Sequence, residues 1–136
     1  MFADDLDFRQ AFERCEIPNA GFHHRDHIRL AWIYLKLYGP AEGQARISAA
    51  IRNFATHHGK SEKYHETVTA AWMLLVAQAS HCSSFTDVIA EFPQFLDKSL
   101  LAEFYSTELL QTEAARKTFV DPDKKPLPSM SPSVVK

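Results

Sequence analysis

A chain of 136 residues suits a single domain, long enough to bury most of its apolar surface without disulfide staples. With 46% hydrophobic and 24% charged residues and a net charge of -2, it has the composition of an ordinary globular protein. The acidic balance excludes the basic footprint of a nucleic-acid binder, and the longest apolar stretch, residues 70–79, is too short to span a bilayer. The acidic first residues lack a signal-peptide pattern, and Cys15 and Cys82 stand far apart. Both features lead us to expect reduced thiols, a cytoplasmic protein and no membrane partner.

Helical periodicity dominates, and no two-residue alternation marks a strand. A first helix is expected over residues 4–16, with Leu6, Phe8, Phe12 and Cys15 facing the core. Asp4, Asp5 and Asp7 suit the positive end of its dipole. Pro18-Asn19-Ala20-Gly21 then breaks the chain.

A second helix, residues 23–38, stops at Gly39-Pro40. Arg25, Asp26, Arg29 and Lys36 share its polar arc, opposite Ile28, Ala31, Trp32, Leu35 and Tyr38. His24 falls on the apolar axis, His27 flanks it, and His23 lies beside Leu30. The third helix, residues 40–57, opens with proline in the favoured first turn and aligns Ile47, Ile51, Phe54 and His58 on one stripe. Arg46, Arg52 and Asn53 point elsewhere, and residues 59–63 form a polar turn.

The fourth helix, residues 64–80, has few polar positions beyond Glu66, Thr67 and Gln78, so it reads as central. Its row His65, Val68, Trp72, Val76 places a histidine at the end of a buried stripe. Shorter helices are expected over residues 86–92, 97–105, 107–111 and 113–119, with Ser84, Ser106 and Thr112 as N-caps. From Asp121 the composition changes: four of the seven prolines fall in residues 121–136, which we expect to be extended or disordered. Pro126-Leu127-Pro128 is the part of that tail with the composition to pack on the domain, 1–120.

The expected fold is therefore all-α: a compact bundle of three longer helices with shorter flanking helices and a Pro-rich C-terminal tail. In an up-down-up order, three histidine groups meet at one end: His23-His24 with His27, His57-His58, and His65. Imidazole is the commonest metal ligand. His23 with His27, and His24 with His27, have the helical spacings that bring two rings to one ion. The expected metal ligands are His24, His27 and His65. Glu66 serves as a further ligand or proton-transfer group, and Tyr64 as a hydrogen bonder beside it.

Neither the zincin signature nor the repeated Glu-x-x-His of di-iron bundles is present. A mononuclear site for a divalent metal (zinc, iron, nickel or manganese) fits the donor set. The function read from these residues is metal binding, with a small metal-dependent enzyme as its fullest form. His81, beside Cys82, has the weakest case and belongs to a loop.

The competing reading is a metal-free module that binds a small molecule or a protein partner. Its histidines hydrogen-bond backbone groups across helix ends, since buried rings need partners.

The strings Phe22-His-His-Arg-Asp-His-Ile-Arg-Leu-Ala-Trp32 and Lys63-Tyr-His-Glu-Thr-Val-Thr-Ala-Ala-Trp72 resemble segments of a family of small uncharacterised bacterial all-helical proteins. Leu96-Asp97-Lys98, Phe119-Val120-Asp121-Pro122-Asp123 and Pro126-Leu127-Pro128 extend the likeness over most of the domain. The resemblance implies a bacterial origin and a shared helical fold, and it implies no activity.

Overall fold

Gly39 sets the layout of the computed structural model, which describes residues 2–128. The helices are α1 (Ala3–Glu13), α2 (His24–His57), α3 (Glu66–Val76), α4 (Phe85–Glu91), α5 (Thr107–Leu110) and α6 (Glu113–Lys117). Short 3-10 turns link them, and no strand occurs among the described residues. The fold is all-α. α2 counts 34 residues, but its backbone leaves helical geometry at Gly39, so it comprises the second and third expected helices as two arms, 24–38 and 40–57. The next longest helices, α1 and α3, have 11 residues each.

A straight helix of that length would reach about 50 Å, far beyond a domain of this size. Gly39 prevents it. Its φ of 80° and ψ of 177° leave the helical region for one residue, and Pro40 restarts the helix. The reversal is sharp: a Cβ on Gly43 would lie 3.0 Å from the Tyr34 carbonyl oxygen. A continuous helix would hold those residues about 13 Å apart. The far ends of the arms also meet, since Phe22 lies 5.4 Å from Phe54, with Phe12 at 4.8 and 4.5 Å from the two rings. Arms 24–38 and 40–57 thus run antiparallel.

α1 docks on this hairpin through Phe12, fully buried, and through Asp5. The Asp5 carboxylate accepts the Phe2 N–H at 3.0 Å and faces Arg29 Nη2 at 2.9 Å, so this charge at the positive end of the helix is also buried and paired. Leu6, expected in the core, is 41% exposed instead, because Asp5 rather than Leu6 faces α2.

α3 is central: Ala71, Trp72, Met73, Leu75 and Val76 are all buried. Each large side chain sealed there contributes roughly 1.5–3 kcal/mol. The expected caps of the later helices form, with Ser84, Ser106 and Thr112 accepting the N–H groups of Asp87, Leu109 and Ala115. Beyond α6 the chain becomes a non-helical strap. The Thr67 hydroxyl donates to the Thr118 carbonyl and accepts the Val120 N–H, and Asp123 takes both Ser106 donors. Residues 121–128 are therefore tied to the domain by hydrogen bonds, and Leu127 packs on the core. The rest of the expected tail, 129–136, lies outside the described residues.

A Cβ at Gly39 meets no neighbour, so its substitution tests backbone conformation alone. Gly39→Ala should lower unfolding stability by roughly 1–3 kcal/mol, since this backbone region is essentially closed to L-residues. Urea denaturation gives the value, and an unchanged midpoint would refute a Gly39-dependent reversal.

Candidate functional site

The histidines settle separately. His65 is the N-cap of α3: its Nδ1 accepts the Val68 N–H at 3.2 Å. Its Nε2 lies 2.7 Å from the Leu110 carbonyl, so Nε2 carries the hydrogen and donates it. Both ring nitrogens are engaged. His24 Nε2 likewise donates to the Phe95 carbonyl at 2.8 Å, and its ring meets Trp72 edge-on at 4.8 Å. Trp72 lies two helical turns beyond His65, about 10 Å along α3. His24 and His65 therefore have different neighbours, and His24, His27 and His65 do not converge as a metal-holding group among the described residues.

His27 is half-buried beside Phe22, at 6.3 Å between rings. Burial, then the neighbouring His24, pushes its pKa down to about 4. Burial also lowers that of His24, partly offset by its bond to the Phe95 carbonyl. Both rings are neutral at pH 7. His58 packs on Phe54 at 4.4 Å, with its Nε2 buried and unpartnered, while His23 and His57 are exposed.

Tyr64 and Glu66 do meet. The Tyr64 hydroxyl donates to Glu66 Oε1 at 2.5 Å. Arg52 donates to the same oxygen at 3.4 Å, and Gln44 and Ser48 reach Oε2 at 3.5 and 3.4 Å. Gln44, Ser48 and Arg52 recur every four residues, which puts them on one stripe of α2 facing α3. Burial, then the bond to Glu66, raises the Tyr64 pKa, so the phenol remains a donor at neutral pH. Glu66 is thus encircled by donors, and none of the expected histidine ligands is among them.

Outside this cluster opens a cleft of about 350 Å³, lined by Arg52, Thr56, Ser61, Tyr64, Arg116 and Lys117. Three cationic residues line it and no carboxylate residue does, although the Lys117 ammonium is paired with Glu113 at 2.8 Å. Arg116 is held by donating to the Glu62 carbonyl, and Arg52 lies over the Tyr64 ring at 4.9 Å. Arg52, Arg116 and Lys117 escaped the sequence reading. The four-residue stripe Gln44, Ser48, Arg52 was a usable signal for the first, whereas α6 reaches the cleft only through tertiary packing.

A second group also went unread. His81 Nε2 lies 2.8 Å from Glu91 Oε1, and Cys82 Sγ lies 3.8 Å from the same oxygen. His81 and Cys82 occupy the turn before α4, and Glu91 ends that helix. Cys82 is buried, and its thiol pKa is raised by burial and then by Glu91. Neither cysteine is in a disulfide. No helix among the described residues is long and apolar enough to cross a membrane.

The chain matches no protein-family model, no curated protein and no solved structure.

The depressed His27 pKa has a consequence for stability. An unfolded histidine titrates near its ordinary 6.5, so below that pH the unfolded chain takes up a proton that folded His27 refuses until about 4. The stabilisation is complete above about pH 6.5 and is lost as the pH falls towards 4. Between pH 7.5 and 5 the wild type should lose about 2 kcal/mol at most through this residue. His27→Leu should show a correspondingly shallower fall in urea-denaturation stability. Equal pH slopes in the two proteins would show that His27 titrates as freely when folded as when unfolded.

Proposed function

We propose that the protein binds a small ligand bearing an oxyanion, a phosphate monoester or a carboxylate, in the cleft beside Tyr64. The carrying observation is the lining itself: Arg52 and Arg116, with Lys117, Thr56 and Ser61, around one opening whose lining includes no carboxylate residue. Guanidinium forks match the paired oxygens of such anions. Glu66 supports this reading from behind the cleft, because its bonds to Tyr64 and Arg52 fix the wall against which a ligand would rest.

The reading is of a binding module. Glu66 already accepts donors at both oxygens, and Tyr64 is itself a donor, so neither is a free base. His24 and His65 serve the fold in this reading, each donating to a carbonyl of the irregular C-terminal half. Metal binding through His24, His27 and His65 is the weaker reading, since His65 would have to release both its cap and the Leu110 carbonyl.

Calorimetric titration with phenyl phosphate at low ionic strength tests the proposal. One-to-one binding is expected, weakened about tenfold or more by Arg116→Gln and by Arg52→Gln, the value of one charge-assisted hydrogen bond. Lys98→Gln makes the same change in net charge on the exposed turn after Pro93–Leu96 and should leave affinity unchanged. Equal affinity in all four proteins, or no binding by the wild type, would remove the cleft as the site.

A further inference from the structure

We infer that His81, Cys82 and Glu91 form a binding site for a thiophilic divalent ion of the zinc class, separate from the oxyanion cleft. Three different donor atoms converge there: an imidazole nitrogen, a thiol sulfur and a carboxylate oxygen, all within 4.8 Å of one another. Bonds of about 2.0–2.3 Å to a tetrahedral ion hold donor atoms about 3.3–3.8 Å apart. Cys82 Sγ and Glu91 Oε1 already have that spacing, at 3.8 Å. His81 Nε2 and Glu91 Oε1, now 2.8 Å apart, need to part by about half an ångström to admit an ion between them.

The supports of the three donors differ, and together they make a site. Cys82 is held by the turn that bonds its N–H to the Ala79 carbonyl at 3.0 Å, and it is buried. The His81 ring rests edge-on against Phe92 at 6.2 Å, so it stays on the side of the turn that faces α4. Glu91 closes α4, and Asp87 lies one helical turn earlier on the same face, lining the same opening. The opening is wide, about 440 Å³, so an ion and its remaining water have access.

Lys36, a cation whose charge reaches Cys82, is committed to the Ser80 carbonyl at 2.9 Å. A surface ion pair between His81 and Glu91 accounts for those two residues alone. It leaves unexplained why the one buried thiol of the chain points at the same oxygen.

The donor set selects the ion. A thiolate and an imidazole favour zinc, cobalt(II) or nickel over calcium and magnesium, which prefer oxygen alone. Binding is an exchange: the Cys82 thiol releases one proton to solvent, and the Nε2 hydrogen that now faces Glu91 leaves that nitrogen, the ring keeping its hydrogen on Nδ1, so that the Nε2 lone pair meets the ion. Glu91 brings the second negative charge, so a divalent ion is neutralised by its ligands.

Titration of untagged, reduced protein with cobalt(II) chloride under nitrogen reads the site directly, because sulfur coordination gives a thiolate-to-cobalt absorption band in the near ultraviolet. The expected result is a saturable one-to-one band, abolished by Cys82→Ser and retained by Cys15→Ser. Zinc should displace the cobalt. Glu91→Gln and His81→Gln change exposed side chains that do not hold the fold, and each should weaken the apparent affinity about tenfold or more. A missing band in wild type, or a band that survives both of those variants at unchanged affinity, would overturn the proposal. So would a band lost in Cys15→Ser but kept in Cys82→Ser.

Discussion

The reversal of α2 at Gly39 is the constraint on which the rest of the molecule depends. One residue outside the helical region turns a rod into a hairpin, and the hairpin presents two apolar surfaces where the rod had none that could close. Its open end is sealed by Phe22 on Phe54, with Phe12 of α1 stacked on the latter, so α1 docks on a surface that both arms form together. At the tight end the backbone of position 43 comes close to the Tyr34 carbonyl because it has no side chain, and Met73 of α3 packs beside it. The stripe Gln44, Ser48, Arg52 is carried onto α3 by the same fold-back, and Glu66 meets it there. The polar cluster behind the cleft is thus a product of the hairpin and of no local motif.

The second organising problem is the C-terminal half, where short helices and 3-10 turns leave carbonyl groups without helical partners. A buried carbonyl left unpaired costs about as much as a lost hydrogen bond, so something must reach each of them. Three of the side chains that do so come from α2, from α3 and from its N-cap, and the fourth, Tyr105, comes from that half itself. His24 serves Phe95, His65 serves Leu110, Thr67 serves Thr118, and Tyr105 serves Val120. This accounts for polar residues on stripes that are otherwise apolar. A histidine in such a place is a long, partly apolar donor that packs its ring and delivers one N–H, as His24 does against Trp72.

What the sequence revealed and what it hid divide along the range of the interaction. The Gly39-Pro40 break and the caps Ser84, Ser106 and Thr112 depend on residues no more than a few positions away, and they were legible. The burial of Asp5 in place of Leu6 was not, because it depends on Arg29 lying opposite. A shared end for the histidine groups was inferred from the order of the helices alone. The packing places His24 two turns along α3 from His65, and element order carries no information about axial offset. His81 looked like the least promising histidine because its neighbours in sequence are unremarkable; the carboxylate that meets it is ten residues away, across α4. Tyr64 and Glu66 were singled out and do meet, but their other partners come from α2, at a distance in sequence that periodicity does not bridge.

The positions of the two proposed sites bear on how they relate. The oxyanion cleft lies at the start of α3, beside Tyr64, and the group formed by His81, Cys82 and Glu91 lies beyond its end. An 11-residue helix separates them by about 16 Å along its axis. An ion at one end is too far away to polarise an anion at the other by direct contact, so the sites do not add up to a single metal-assisted reaction centre. Any influence of one on the other has to pass through α3, which is buried along most of its length and has little freedom to shift without opening the core. The arrangement therefore favours two independent tasks, with a local ion that ties the turn before α4 to the end of that helix and a ligand cleft held rigid from α2.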